Sequence, residues 1–247
     1  MERDIDRYAN TYLVDDFERV MVHYRRRKVL EFLEEEKPRS VLEVGCGADS
    51  LINHYHGFEN FVIVEPSSKF GAIARRSPSF DARVELIGDF LENSLDRLRE
   101  GQFDCIVASS LLHEVSEPPR LLETIRLLSG EKTKTHINVP NAESFHFLWA
   151  KESGLINAIE VRSERFHMLQ QNTIFTMTSL LEMVKKAGFV VTEQGSYFVK
   201  PFNHAKMQTA MECGLIDDRL LDGLYGLSRH FPDAGAEIFV HCALAPR

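Results

Sequence analysis

A glycine turn after an apolar run is the first place in the chain where residue types and spacing suggest chemistry. The turn is Gly45-Cys46-Gly47, and it follows the run at 40–44. Glycines permit a tight turn there and let a ligand approach the backbone closely. Glu65 comes 20 residues after Gly45, at the end of a second apolar run. Because a carboxylate at that place can accept hydrogen bonds from both hydroxyls of a ribose, the two features together predict an adenosine cofactor.

Two further positions favour one adenosine cofactor over another. A dinucleotide-binding turn has a third glycine, Gly-x-Gly-x-x-Gly, and this chain has Ser50 in its place. The turn also lacks the lysine of a triphosphate-binding loop. Glu43 stands two residues before Gly45, where its carboxylate would repel a phosphate and attract an ammonium group. S-adenosylmethionine (SAM) carries an ammonium group and no phosphate, so these residues favour SAM over NAD.

Two later segments continue the same pattern. Gly88-Asp89-Phe90 follows a third predicted strand, where Asp89 can accept a hydrogen bond from the adenine amine and Phe90 can cover the ring. A fourth predicted strand runs into residues 109–115, with the sequence SSLLHEV. With these segments in this order, the chain resembles the class I SAM-dependent methyltransferases over about residues 38–200.

The resemblance implies a fold, a reaction and a cofactor site. The fold is α/β, a Rossmann-like, doubly wound sheet of seven strands in the order 3-2-1-4-5-7-6, with the last strand antiparallel and with helical lid insertions. The reaction is methyl transfer from SAM, which leaves S-adenosylhomocysteine (SAH). The predicted cofactor-binding residues are Glu43, Gly45, Cys46, Gly47, Glu65, Pro66, Asp89, Phe90, Ser109 and Leu111.

Short β-branched runs alternate with helical patterns, which by itself predicts a doubly wound sheet with right-handed crossovers. The first five runs are almost continuously apolar, as in strands buried on both faces of a parallel sheet. The last two runs are expected nearer an edge of the sheet. The predicted strands are 40–44, 61–64, 83–87, 103–108, 133–139, 189–197 and 237–243.

Three stretches are longer than the sheet needs, and long insertions of this kind are usually lids or substrate walls. We expect one methyltransferase domain over 1–247, with its SAM-binding half at 39–139. Residues 1–38 are predicted to form an N-terminal helical cap. Residues 140–177 and 200–235 are predicted to be insertions on the substrate side.

Histidines near the predicted carboxyl ends of strands are candidates for a general base. Residues 139–146, VPNAESFH, are similar to a motif of small-molecule methyltransferases that tailor natural products and surface polysaccharides, although Phe147 stands where that motif has arginine. His146 and His113 are predicted to be catalytic, because a hydroxyl acceptor needs a base. The alternative for His113 is a structural hydrogen bond in its loop. A phosphate or carboxylate acceptor is already ionised and needs no base.

Basic residues in the cap and insertions suggest an anionic acceptor, since arginine grips phosphate or carboxylate in a bidentate manner. The run 25–28, RRRK, is one candidate for binding an anionic acceptor. The alternative is that the run forms a solvated helix face, on which Arg27 pairs with Glu31. Arg162 and Arg165 could meet the cap over the pocket. The predicted acceptor-binding residues are Tyr24, Arg26, Asn138, Asn141, Tyr197, Lys200 and His204.

Composition excludes several classes of partner and site. The 247 residues carry 29 Lys+Arg and 37 Asp+Glu, a formal charge of −8, which argues against nucleic-acid binding. The sequence contains no uninterrupted run of about 18 apolar residues, so no membrane span is predicted. The four cysteines are scattered, so a reducing cytoplasm is expected. Neither His-x-Asp nor His-x-x-x-His occurs near the candidate histidines, so no metal site is predicted. The sequence does not distinguish between a monomer and a homodimer.

The predicted function is transfer of a methyl group from SAM to an oxygen, less favourably a nitrogen, of a small polar metabolite. The predicted class of metabolites includes anionic acceptors, such as a phosphate, a carboxylate or a sugar-like compound. One alternative is an NAD(P)-dependent oxidoreductase on a related fold, against which Ser50 and Glu43 count. The other is a non-catalytic binding subunit with the SAM fold. The joint presence of Glu43, Glu65 and Asp89 counts against that alternative.

Overall fold

A seven-stranded sheet lies at the centre of the computed structural model, which describes residue 5, residues 16–159 and residues 171–245. Its strand order is β3-β2-β1-β4-β5-β7-β6. β7 runs antiparallel to β5 and β6, and the other pairs are parallel. This confirms the predicted fold. The strands are β1 (Ser40–Val44), β2 (Asn60–Val64), β3 (Val84–Ile87), β4 (Cys105–Ser109), β5 (Lys134–Pro140), β6 (Phe189–Tyr197) and β7 (Glu237–Leu244).

The position of β7 differs from the pattern-based expectation that both final strands lie near an edge. β7 is inserted between β5 and β6, and its first six residues are buried. β6 takes the edge, where residues 192–194 are exposed. The polar residues of β7 made it resemble an edge strand, but Glu237 and His241 are buried and hydrogen-bonded rather than facing water.

Helices cover both faces of the sheet. α4 and α6 pack on one face, and the second half of α1 packs with α2 on the other. No helix of the described residues is long and apolar enough to cross a bilayer. The helices are α1 (Asp16–Glu36), α2 (Ser68–Arg75), α3 (Leu95–Leu98), α4 (Pro118–Leu128), α5 (Phe145–Glu152), α6 (Met177–Lys186), α7 (His204–Glu212) and α8 (Asp218–Gly226).

α1 joins two hydrophobic clusters and is therefore fixed at both ends. Its second half places Phe32 against β1, β2 and β4. Its first half places Phe17 and Tyr24 in a separate cluster with α7, α8 and the end of β6. Each buried phenylalanine contributes roughly 2 kcal/mol. The helix consequently crosses the carboxyl edge of the sheet as a rigid wall.

Candidate functional site

A cavity of about 410 Å³ lies between the carboxyl ends of β1, β2 and β4 and the helix α1. In a doubly wound sheet, ligands bind at this edge, where the strand order reverses beside β1. Eight of the ten predicted cofactor-binding residues line this cavity: Glu43, Gly45, Cys46, Gly47, Glu65, Pro66, Ser109 and Leu111.

The turn after β1 is held by the carboxylate of Glu65 at the end of β2. Glu65 Oε2 accepts hydrogen bonds from the backbone N–H groups of Cys46 (3.0 Å) and Gly47 (3.2 Å), and Oε1 accepts from Ser67 N–H (2.8 Å). Burial raises the pKa of Glu65, and these three N–H groups oppose the rise. A carboxylate has about four acceptor positions, so the three contacts leave room for a ligand hydroxyl.

Glu43 is a second buried carboxylate in the cavity wall. It accepts hydrogen bonds from the hydroxyl of Ser50 and from Leu51 N–H (3.0 Å). Burial raises its pKa to about 8, because removal from water disfavours the charged form. Ser50, which stands where a dinucleotide turn has glycine, therefore has a structural use: it orients Glu43.

The opposite wall of the cavity comes from one face of α1. Arg26 forms an ion pair with Asp49 in the turn after β1, and Asp49 also contacts Asn53 and His54. Arg25 forms hydrogen bonds with Glu18 and with Glu237 of β7. The wall residues of this helix are Glu18, Arg19, Val22, Arg25, Arg26 and Val29.

Sequence reasoning missed several residues of the cavity, and one signal could have found some of them. Glu18, Val22, Arg25 and Val29 follow each other at the three- and four-residue spacing of one helix face. That spacing identifies a face, but it does not say that this face covers the cavity. Glu114, Asp49, Ser67 and Phe70 also line the cavity, from loops and from α2.

Asp89 and Phe90 do not line the cavity. They follow β3, at the same carboxyl edge of the sheet but one strand further from β1. Asp89 Oδ1 accepts hydrogen bonds from Phe90 N–H (2.7 Å) and from Asn93 Nδ2 (2.8 Å). The Phe90 ring is 42% exposed. Both residues therefore lie at the same edge of the sheet as the cavity but outside its lining, and adenine contacts by them stay a prediction.

His113 is buried in the loop after β4. Its Nε2 atom lies 3.7 Å from Glu114 Oε1. Its backbone carbonyl accepts hydrogen bonds from Asn172 N–H (2.8 Å) and Thr173 N–H (3.2 Å). The loop is therefore anchored to the segment before α6, and it is Glu114 rather than His113 that lines the cavity.

His146, Lys200 and His204 lie near one another, and none of the three lines the cavity. His146 lies in the first turn of α5, with Nδ1 2.9 Å from Ser144 Oγ. Burial, together with the charge of Lys200 and the nearby His204, lowers the pKa of His146 well below its usual value. The imidazole is consequently neutral at neutral pH.

Tyr24 and Asn141, two predicted acceptor-binding residues, are engaged in packing and backbone contacts. The Tyr24 ring stacks on Phe198 at 4.6 Å and on Tyr225 at 5.4 Å, and its hydroxyl lies 3.2 Å from Asp222. Asn141 Nδ2 donates to two backbone carbonyls of the loop before β7. Neither side chain lines the cavity.

Asn138 and Tyr197, two further predicted acceptor-binding residues, both donate to one buried carboxylate, that of Glu237. The distances to Glu237 Oε2 are 2.7 Å from Asn138 Nδ2 and 2.5 Å from the Tyr197 hydroxyl. Arg162 and Arg165 lie outside the described residues. Within the described part of the chain, no group of three or more His, Cys, Asp or Glu side chains could hold a metal ion.

Solved structures with this fold are similar to the chain over nearly its whole length. The plantazolicin methyltransferase BamL, solved with a triazolic desmethylPZN analogue and SAH, is 15% identical, with a TM-score of 0.58 and coverage of 97% of either chain. A possible histamine N-methyltransferase from Thermotoga maritima is 17% identical (TM-score 0.58, coverage 95% of this chain and 97% of that one). The N-methyltransferase NodS from Bradyrhizobium japonicum, solved with SAH, is 9% identical (TM-score 0.55, coverage 95% and 91%).

A family model described as a methyltransferase domain matches residues 17–194. This span begins in the wall helix α1 and includes the glycine turn, both buried carboxylates and the loop after β4. No curated protein sequence matches the chain. The chain therefore belongs to the methyltransferase domain family, which confirms its identification as a class I SAM-dependent methyltransferase.

Proposed function

We propose that the chain holds SAM in the cavity beneath α1 and transfers its methyl group to an oxygen, less favourably a nitrogen, of a small polar metabolite. The observation that carries this proposal is the convergence of the glycine turn, Glu43 and Glu65 on one cavity at the switch point of the sheet. Its volume of about 410 Å³ is in the usual range for small-molecule sites. The SAH in the structures of BamL and NodS supports the choice of cofactor.

The residues of the cavity fit the parts of SAM. Glu65, which accepts three N–H groups, keeps an acceptor position for one ribose hydroxyl. Glu43 suits the ammonium group, and the open space at Gly47 lets the ligand approach the backbone. When bound, SAM supplies a methyl group on a positively charged sulfur. The chain's part is to hold the acceptor atom in line with that methyl group, an orientation effect that can reach several kcal/mol.

The acceptor side of the proposal rests on His146 and Lys200. Lys200 is close enough to Glu18, in the cavity wall, to lower the pKa of that carboxyl group, although burial raises it overall. The same lysine lowers the pKa of His146. His146 and Lys200 do not line the cavity themselves, but Lys200 links the neutral imidazole electrostatically to Glu18 in the cavity wall. The neutral imidazole is the form that a general base needs, the neighbouring positive charge weakens it as a base, and that charge favours an anionic acceptor.

Binding experiments with free cofactors test the proposal. We expect SAM and SAH to bind the chain with micromolar dissociation constants in calorimetry, and NAD not to bind. Binding of NAD without binding of SAM would favour an oxidoreductase and contradict the proposal. Binding of SAM without transfer to any acceptor would favour a non-catalytic subunit.

The acceptor class is tested by transfer of a labelled methyl group from SAM to a panel of hydroxy compounds, carboxylates, sugar phosphates and amines. Label in an oxygen-containing acceptor is the expected result. Label confined to amines would contradict the oxygen assignment and leave the methyltransferase assignment intact.

Glu43 should make SAM binding depend on pH. With a pKa of about 8 it is largely protonated at pH 7 in the empty cavity. A bound ammonium group favours the charged carboxylate, lowers its pKa and expels the proton. The contribution of Glu43 to the affinity for SAM should therefore rise with pH up to about 8 and then level off. Calorimetry at pH 7 in two buffers of different ionisation enthalpy measures the protons released.

The control for this prediction is Glu43→Gln, which cannot ionise. The amine of SAM has its own proton balance in both proteins, so the difference between them reports on Glu43 alone. We expect the wild type to release nearly one proton more than the variant at pH 7. Equal proton release by the two proteins would contradict the assignment of Glu43.

A further inference from the structure

Glu237 is a buried carboxylate that lies behind the cavity wall and does not line the cavity. It is the first residue of β7 and is 1% exposed. Arg25 Nε (2.9 Å) and Nη2 (2.5 Å) donate to its Oε1 atom, and Asn138 and Tyr197 donate to Oε2. A buried charge is tolerated only when it is paired and hydrogen-bonded in this way.

The partner of this carboxylate, Arg25, does line the cavity. Its side chain is 11% exposed, and its Nη1 atom donates to Glu18 Oε1 at 3.1 Å. The guanidinium is therefore held between Glu18, on the cavity wall, and Glu237, behind it. Arg25 Nε also donates to Glu237 Oε2 at 3.2 Å, so both carboxylate oxygens hold the guanidinium and fix its plane as well as its position.

We propose that Glu237 is a positioning residue for cofactor binding, which holds the Arg25 guanidinium at the cavity wall. The proposal rests on the proposed function, in which this cavity takes SAM. Asn138 and Tyr197 then act on the site indirectly: they orient Glu237 and do not touch the acceptor. A guanidinium fixed in this place offers a positive charge to the carboxylate at the amino-acid end of SAM.

The sheet register fixes Glu237 in this position. Glu237 lies opposite Tyr197 of β6 and Pro140 of β5, in the middle of three neighbouring strands. The contact to Arg25 spans 212 residues of sequence. Glu237 also lies beyond residues 17–194, which the family model matches. The affinity of the cavity would thus depend on the docking of the last strand against α1.

A double-mutant cycle on SAH affinity tests the proposal. The proteins are the wild type, Glu237→Gln, Arg25→Met and the double variant, each titrated with SAH in a calorimeter. We expect Glu237→Gln to weaken binding by about tenfold, and Arg25→Met by at least as much. In the Arg25→Met background, Glu237→Gln should have no further effect beyond about twofold. A residue that acts only on the general structure would weaken binding equally in both backgrounds.

Two other variants complete the design. Tyr225→Phe removes the hydrogen bond from Tyr225 to Glu31 of α1 without touching Arg25, and we expect it to leave SAH affinity unchanged. Tyr197→Phe removes one donor to Glu237 and keeps the Arg25 contact. It should weaken binding less than Glu237→Gln does. Should Glu237→Gln fail to fold by circular dichroism, Tyr197→Phe replaces it in the cycle.

The possible failures are distinct. An unchanged SAH affinity of folded Glu237→Gln, or an equal loss in the Arg25→Met background, would overturn the positioning role and leave the proposed function intact. A wild type that does not bind SAH would overturn the proposed function, and the positioning role with it.

Discussion

Glu65→Ala should weaken SAH binding by at least about 100-fold, or roughly 2.7 kcal/mol. The alanine removes the acceptor for a ribose hydroxyl, and it also releases the turn that shapes the cavity. In the wild type, one carboxylate holds the N–H groups of Cys46, Gly47 and Ser67. Loss of their acceptor leaves buried donors unpaired, at about 1–3 kcal/mol each. Isothermal calorimetry with SAH measures the change in affinity.

The loss of affinity should be accompanied by a loss of stability. Because the three N–H groups need their acceptor without any ligand, the free energy of unfolding should fall by at least about 3 kcal/mol. Glu85→Ala is the control, since Glu85 is an exposed β3 residue that pairs with Arg97. It should change neither property. An SAH affinity of Glu65→Ala within about threefold of the wild type would show that Glu65 does not bind the ribose.

The alternation of strands and helices and the position of the cofactor turn could be predicted from local sequence, whereas the order of the strands was implied by the resemblance to the family. Buried parallel strands are continuously apolar, and the turn and Glu65 come where such runs end. A doubly wound sheet brings all carboxyl ends of its parallel strands to one edge. The positions of Gly45, Glu65 and Ser109 in one cavity therefore follow from the topology, with little dependence on side-chain packing.

The roles of Asn138 and Tyr197 could not be predicted in the same way. Both stand near the carboxyl end of a strand, which made them candidates for the acceptor site. Side chains alternate between the two faces of a sheet, so position along a strand does not settle what a side chain meets. Their partner Glu237 lies in a strand 40 residues from Tyr197 and 99 from Asn138. Only the assembled sheet shows that these polar groups satisfy one another.

Gly47→Leu should abolish measurable SAH binding, a loss of more than about 100-fold, with little effect on folding. Gly47 lines the cavity, and a Cβ atom there would meet no atom within 4 Å. A leucine side chain would therefore extend into the space that the cofactor needs. Because φ is +55° at this position, a residue with a Cβ costs roughly 1–2 kcal/mol in backbone strain. Calorimetry with SAH and thermal unfolding measure the two effects separately.

Gly214→Leu is the matched control, because it carries the same backbone strain without the steric block. Gly214 has φ +73°, also with no atom within 4 Å of a Cβ atom, but it is exposed after α7 and does not line the cavity. We expect both variants to lose similar stability and only Gly47→Leu to lose SAH binding. Since backbone strain is common to both, the difference in affinity measures occupation of the cavity. If Gly47→Leu binds SAH as the wild type does, SAM does not lie against this turn.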